Sequence, residues 1–252
     1  MQTSSRYLSI RSFKGFTLTE LLVTISIIAI LAALIMPVLG MVRKTAKRTS
    51  SLANLRIISG GISMYLLENQ NKYPTLDGDV YKGSNHTPYW TEKTKIGKYL
   101  PPPMPGFGPD GHTVFSASAV MMDPLVPMGY HHNLGDYGAN DLVFTYTAQP
   151  SPWVPGSSPQ SMKSSLIVTN PSRCVIVTTS GQPAVKGKTC YGSWALFTSA
   201  FINSAQLPSP TVATAVPDDR QTGAILSLFA DGHTEAIPVD EFNANKKSLL
   251  TP

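Results

Sequence analysis

"KGFTLTELLVTISIIAILAALIMP", residues 14–37, decides the fold. From Leu21 to Val42 there is no charged residue. About 20 apolar residues suffice to span a bilayer as a helix. Leu, Ile, Ala and Met dominate the run and favour helix. Thr24 and Ser26 can bond back to preceding carbonyls, so they do not forbid one. Pro37 removes one backbone donor and is expected to kink or loosen the helix locally. Against this background Glu20 stands out: a carboxylate at the edge of lipid is costly, and such residues are functional-site candidates.

Helical spacing continues past the run. Leu52, Leu55, Ile58, Ile62, Tyr65 and Leu66 recur at three- and four-residue steps. A helix from Phe16 to about Asn69 is therefore expected, its second half lying on a sheet. Gly60-Gly61 weakens that half and suggests close packing against a strand.

Charge brackets the run. Arg6, Arg11 and Lys14 precede it, and Arg43, Lys44, Lys47, Arg48 and Arg56 follow. The rest of the chain is slightly acidic, although the net charge is +5. Basic flanks of this kind set topology or meet anionic headgroups, which argues against a nucleic-acid surface on the 43–56 stretch. A secretory signal peptide has a shorter apolar core with a small-residue cut after it. Here the core is longer and the small residue, Gly15, comes first. On hydropathy alone, a plain single-pass anchor carrying an external domain fits as well.

Beyond residue 70 the chain is rich in turns, with 21 Pro and 19 Gly overall and only 14% charged residues. "DLVFTYT", residues 141–147, reads as a short strand. "SRCVIVTTSG", residues 172–181, alternates and is β-branched, so it reads as a strand too. "AILSLFADGHTEAIPV", residues 224–239, reads as two strands joined at Asp231-Gly232 by a type I′ turn. A long helix followed by strands predicts an α+β domain with an antiparallel sheet.

Gly15-Phe16-Thr17-Leu18-Thr19-Glu20, after a basic leader and before an apolar helix with Pro37, resembles the processing site of type IV pilins and type II secretion pseudopilins. The resemblance covers residues 1 to about 75, including "NLRIISGGISMYLLENQNKYP", residues 54–74. It implies a leader over 1–15, removed by a prepilin peptidase after Gly15, and methylation of the new amino terminus at Phe16. It implies a transmembrane and assembly helix over 16–42, an amphipathic continuation over 43–70 and a β-rich head with long loops over 71–252. The expected product is a structural subunit, not an enzyme, polymerised with copies of itself and other pilin-like subunits by an inner-membrane platform. It would sit in the inner membrane with a periplasmic head, then in a pilus or pseudopilus. The alternative is a membrane-anchored periplasmic or surface binding protein.

In such a subunit Glu20 would pair with the amino terminus of a neighbour; the plainer reading is an interfacial charge favoured by the helix dipole. "FADGH", residues 229–233, resembles the tail of one pseudopilin-like subgroup. That subgroup usually has a histidine ten positions before the Asp, where this chain has Gln221.

Enzyme motifs such as Gly-x-Ser-x-Gly or His-Glu-x-x-His are missing from the sequence. His131-His132 resembles a metal pair, but adjacent side chains diverge on a strand or a helix, so no metal ligand is assigned and no cofactor is expected. Asp218, Asp219 and Asp231 could offer oxygens to calcium, which some pseudopilins bind, though without the spacing of a known loop. Asp231 is better read as a turn residue. Cys174 and Cys190 are the only cysteines. Outside the cytoplasm they could form a disulfide; two buried free thiols are the other reading.

Overall fold

The computed structural model describes residues 16–76, 89–103, 117–127, 130–132, 134–145, 162–181, 195–196, 202, 216–220 and 222–252. Two compact units divide at residue 43, Met1–Arg43 and Lys44–Pro252. One helix, α1 (Leu18–Glu68), supplies most of the described residues of the first unit and the first element of the second. Pro37 lies inside α1 without ending it. Helix α1 stops after Glu68, where Gln70 and Asn71 take left-handed backbone angles, φ 57° and 56°. The Asn71 amide then donates to the Leu66 carbonyl at 2.8 Å, satisfying one of the helix's last acceptors.

The second unit is built on a sheet. Its described strands are β1 (Tyr137–Asn140), β2 (Val175–Gly181), β3 (Ala195–Leu196), β4 (Val216–Pro217), β5 (Ala224–Phe229) and β6 (Thr234–Pro238). The order is β3-β1-β2-β5-β6, with β4 also on β2. All pairings are antiparallel except β1 with β3. The expected α+β arrangement, a long helix packed on a C-terminal antiparallel sheet, is therefore present. Leu55, Ile58, Ile62 and Tyr65 of α1 are buried in one core cluster with Val177, Leu226 and Leu228 of the sheet. These are the helix positions that the apolar spacing picks out.

The other face of the sheet is also covered. A C-terminal helix, α2 (Val239–Leu250), buries Phe242, Leu249 and Leu250 against Val175, Ile225, Phe229 and Ile237. This explains why every residue of β2 and β5 is buried: a central strand with helices on both faces has no solvent side. The buried Asn140 side chain fastens the end of α2, donating to the Leu250 carbonyl at 2.8 Å and the Val175 carbonyl at 2.9 Å.

Three local expectations change. The strand expected over 141–147 is displaced: β1 ends at Asn140, and Val143 and Phe144 turn back to donate to its carbonyl. The β5–β6 connection is a three-residue loop, since Leu228 pairs with Thr234 and the Phe229 amide donates to the His233 carbonyl. Gly232 alone takes positive φ there, 93°, which is the type I turn plus bulge and not the type I′ turn, where both central residues need positive φ. Finally, Gly61 packs not on a strand but on Leu100, just past the 3₁₀ turn Ile96–Tyr99. A Cβ there would lie 2.8 Å from the Leu100 Cδ2 atom. Gly60 faces open space.

Candidate functional site

The start of α1 is organised by two side chains. Thr17 immediately precedes the helix, and its backbone N–H and its hydroxyl both donate to the Oε2 atom of Glu20, at 2.9 and 2.8 Å. In return the Glu20 amide donates to the Thr17 hydroxyl at 3.3 Å. This reciprocal pair is a capping box, in which a Thr at the N-cap and a Glu three residues on satisfy each other's free amides. The carboxylate also sits against the positive end of the helix. Phe16, 80% exposed, lies just before the cap. Gly15 lies outside the described residues.

After this cap, residues 18–42 form a helix whose large hydrophobic side chains are all exposed, among them Ile28 at 63%, Leu34 at 67% and Met41 at 68%. Burying such a surface is the largest free-energy gain open to this unit. The helix is long and apolar enough to cross a membrane, by length and composition. Thr24 and Ser26 donate to the Leu21 and Leu22 carbonyls at 2.8 and 2.7 Å, so their hydroxyls are satisfied within the helix.

In the head, the candidate metal ligands serve the fold. His131 Nδ1 bonds the Oδ2 atom of buried Asp136. His132 Nδ1 accepts from the Leu134 amide at 3.1 Å, and burial pushes its pKa below the ordinary value. The two rings thus serve different partners. Asp136 Oδ2 also accepts from the Asp123 amide at 2.8 Å. Arg220, its side chain only 5% exposed, lies 3.5 Å from Asp123 Oδ2 and pairs with Asp218. It also donates to the carbonyls of Asp136 and Ser180. Burial holds the Asp123 carboxyl above its usual range, with Arg220 opposing the shift. Together these groups pin the 117–136 segment to the ends of β2 and β4.

Asp219 accepts from the Gly223 amide at 3.0 Å and Asp231 from the His233 amide at 3.1 Å, both turn roles. Among the described residues, no group of three or more His, Cys, Asp or Glu converges as a metal site would. Cys174 is buried and has no disulfide partner among the described residues, and burial raises its thiol pKa to about 11. Cys190 and Gln221 lie outside the described residues.

The prokaryotic N-terminal methylation motif matches residues 10–36, which hold Gly15, Phe16, the capping box and most of the apolar run. The chain is pilin- and pseudopilin-like. It is 38% identical over 64 residues to a type II secretion system core protein G of Klebsiella pneumoniae, covering 25% of this chain and 45% of that protein. It is 28% identical over 133 residues to the protein of the same description from Escherichia coli K12, covering 52% and 79%. It is 40% identical over 78 residues to the type IV wide pilus major component PilA4 of Thermus thermophilus, covering 31% and 60%. The chain thus spans under half the length of the first of these relatives. No solved structure matches it.

In this pilin-like chain, residue-by-residue reading singled out Glu20 and passed over Thr17. The signal for Thr17 was present: a Thr three residues before a Glu, ahead of an apolar run, is the capping-box pattern. Asp123, Asp136 and Arg220 carried no such signal, because they meet only in the fold.

Proposed function

We propose that the chain is a structural subunit of a type IV pilus or type II secretion pseudopilus. A prepilin peptidase cuts it after Gly15, the new amino terminus is methylated at Phe16, and an inner-membrane platform polymerises it through α1 with copies of itself and other pilin-like subunits. Before assembly the apolar half of α1 holds it in the inner membrane with the head in the periplasm. It is not an enzyme. The observation that carries this reading is the methylation motif running directly into an exposed apolar helix whose first turn holds a carboxylate. In a simple anchor that carboxylate would only cap the helix. In a fibre it neutralises a neighbour's amino terminus, a cation that would otherwise be stranded in a low-dielectric core.

Intact mass of the membrane-extracted chain tests processing. The expected product begins at Phe16 with one added methyl group, and Gly15→Leu leaves the leader attached. A chain still beginning at Met1 in cells that contain the peptidase overturns the proposal. Glu20→Ala tests assembly: insertion and cleavage survive, while sheared or secreted fibre per cell falls. Normal fibre yield would reduce Glu20 to an interfacial charge, whereas absence of fibre from the unsubstituted, processed chain would favour the membrane-anchored binding protein.

A further inference from the structure

On the face of the sheet that α2 covers, a cavity of about 190 Å³ opens to solvent beside the helix. Its apolar lining comes from Phe229, Ile237 and Leu249, all buried. The Phe229 ring is backed by the His233 ring, stacked on it at 4.1 Å with the planes 13° apart. Three elements bring charges to the same space: Arg173 just before β2, Glu235 on β6 and Glu241 in the first turn of α2. Alternation along the strands explains how they meet. Arg173 stands two residues before Val175, and Glu235 two before Ile237, so each shares a sheet face with a residue packed under α2. Glu241 and Leu249 lie along one row of the helix, with Asn245 between them at four-residue steps.

These charges are not used by the fold. Arg173, Glu235 and Glu241 are exposed, and their side chains make no hydrogen bond or ion pair among the described residues. Arg220 and Asp218, by contrast, pair with each other. Ser227 of β5 stands opposite Glu235 in the register, on the same sheet face, and its buried hydroxyl has no partner either. A guanidinium and two carboxylates that line one cavity without pairing leave room between them for a molecule carrying the opposite charges.

The charge set points to a ligand class. A guanidinium suits a carboxylate, which it grips with two parallel bonds. Two carboxylates suit two cations. The apolar lining suits a chain of methylenes between them. We infer that this cavity binds a free basic α-amino acid of the lysine or ornithine type. Its α-carboxylate meets Arg173, its two ammonium groups meet Glu235 and Glu241, and its methylenes lie over Phe229, Ile237 and Leu249. A lysine within a peptide has lost its α-ammonium or its α-carboxylate to a peptide bond and matches fewer of the three charges. The inference goes beyond the fibre reading and stands apart from it: the whole site lies in the head, and its test needs no fibre.

That test is isothermal titration calorimetry of the full chain in detergent with L-lysine. A Kd of about 1 mM or tighter is expected, the weak binding that exposed charges allow. Norleucine lacks the side-chain ammonium and cadaverine lacks the carboxylate. Each should bind about fivefold more weakly than L-lysine or worse, the scale of one exposed ion pair. Glu235→Gln, Glu241→Gln and Arg173→Gln should each weaken L-lysine by a similar factor. They should leave the melting temperature of the unliganded chain in place, because these side chains hold nothing in the fold. No heat with L-lysine overturns the site, as does equal binding of L-lysine, norleucine and cadaverine, or full binding by all three variants. Glycyl-L-lysine binding more tightly than L-lysine would overturn the free amino acid as the ligand.

Discussion

Arg220→Met should destabilise the head strongly, and in a manner that depends on pH. The Arg220 side chain is 5% exposed, and its guanidinium faces two carboxylates, Asp123 and Asp218, and two carbonyls, Asp136 and Ser180. Methionine fills much of the same volume, so the loss is mainly electrostatic. Removing one partner of a buried charge pair costs about 3–5 kcal/mol. For a unit the size of Lys44–Pro252, each kcal/mol moves the melting temperature by about 2–4 °C, which gives a drop of roughly 6–20 °C. Arg220→Lys keeps the charge but loses the fork that spans several acceptors, so it should fall between.

The pH dependence identifies the cause. Burial raises the Asp123 pKa and Arg220 opposes the rise. A carboxyl with a raised folded pKa favours the fold most when protonated, below its unfolded value, and loses that contribution as pH rises through the folded value. Without Arg220 the folded pKa climbs further. The deficit of the variant should therefore be small near about pH 4.5 and large near about pH 7. The assay is thermal unfolding of the full chain in detergent, followed by tryptophan fluorescence, since all three tryptophans lie beyond residue 70. A loss that is equal at both pH values would refute the electrostatic account, and a loss under about 1 kcal/mol would show that the network is solvated.

Three further outcomes are expected. Gly61→Ala should be near neutral, because the contact with Leu100 is offset by about 1 kcal/mol of helix propensity; Gly61→Val should overpack and cost about 1–3 kcal/mol in urea unfolding. His132 has a folded pKa held below its ordinary value by burial, so its contribution to stability is complete above the unfolded pKa and is lost as pH falls toward the folded one; His132→Asn should flatten the decline of melting temperature in that window. Cys174, 2% exposed with its thiol pKa raised to about 11, should resist iodoacetamide in the native chain and react on unfolding without reductant. A linkage to Cys190 would appear instead as labelling that needs reductant.

What could be read in advance follows from how far apart the cooperating residues lie. The inward stripe of α1 was legible because its period is local and its side chains are the core. The β5–β6 hairpin was legible from two apolar runs flanking Asp231-Gly232, but not its loop length, which Gly232 sets by approaching Ser59 of α1. Residues 141–144 have strand propensity and yet turn, because Tyr137 and Asn140 just before them hold the sheet position through Ser51, Val175 and Leu250. Tertiary contacts outweigh propensity there. Helix α2 has Asp240 and Glu241 in its first turn and Lys247 in its last, a charge order suited to the helix dipole. Its few apolar positions gave no stripe to find. The Asp123–Asp136–Arg220 network brings Arg220 to Asp136, 84 positions away, and to the still more distant Asp123, and nothing in a local window announces it.

Under the proposed function Glu20 would serve two tasks, the observed cap and the proposed pairing between subunits, and their separation can be measured. Within one chain both bonds from Thr17 fall on Oε2. The cap thus uses one carboxylate oxygen, and Oε1 makes no bond among the described residues. A neighbour's amino terminus would approach Oε1 without breaking the cap, and an ion pair there would add the attraction of a full positive charge to the charge-assisted bonds Thr17 already makes. Glu20→Gln keeps an acceptor for Thr17, so α1 should start at the same residue and the chain should insert and be cut as before. It cannot neutralise a cation, so fibre yield should fall as it does for Glu20→Ala. Glu20→Asp keeps the charge on a side chain one methylene shorter, which must choose between cap and neighbour; its fibre yield should be intermediate. Thr17→Val removes the hydroxyl and leaves the carboxylate, so it should weaken the helix start while fibres still form. If Glu20→Gln assembles as well as the parent chain, the carboxylate matters for capping and not for its charge, and the pairing between subunits is wrong.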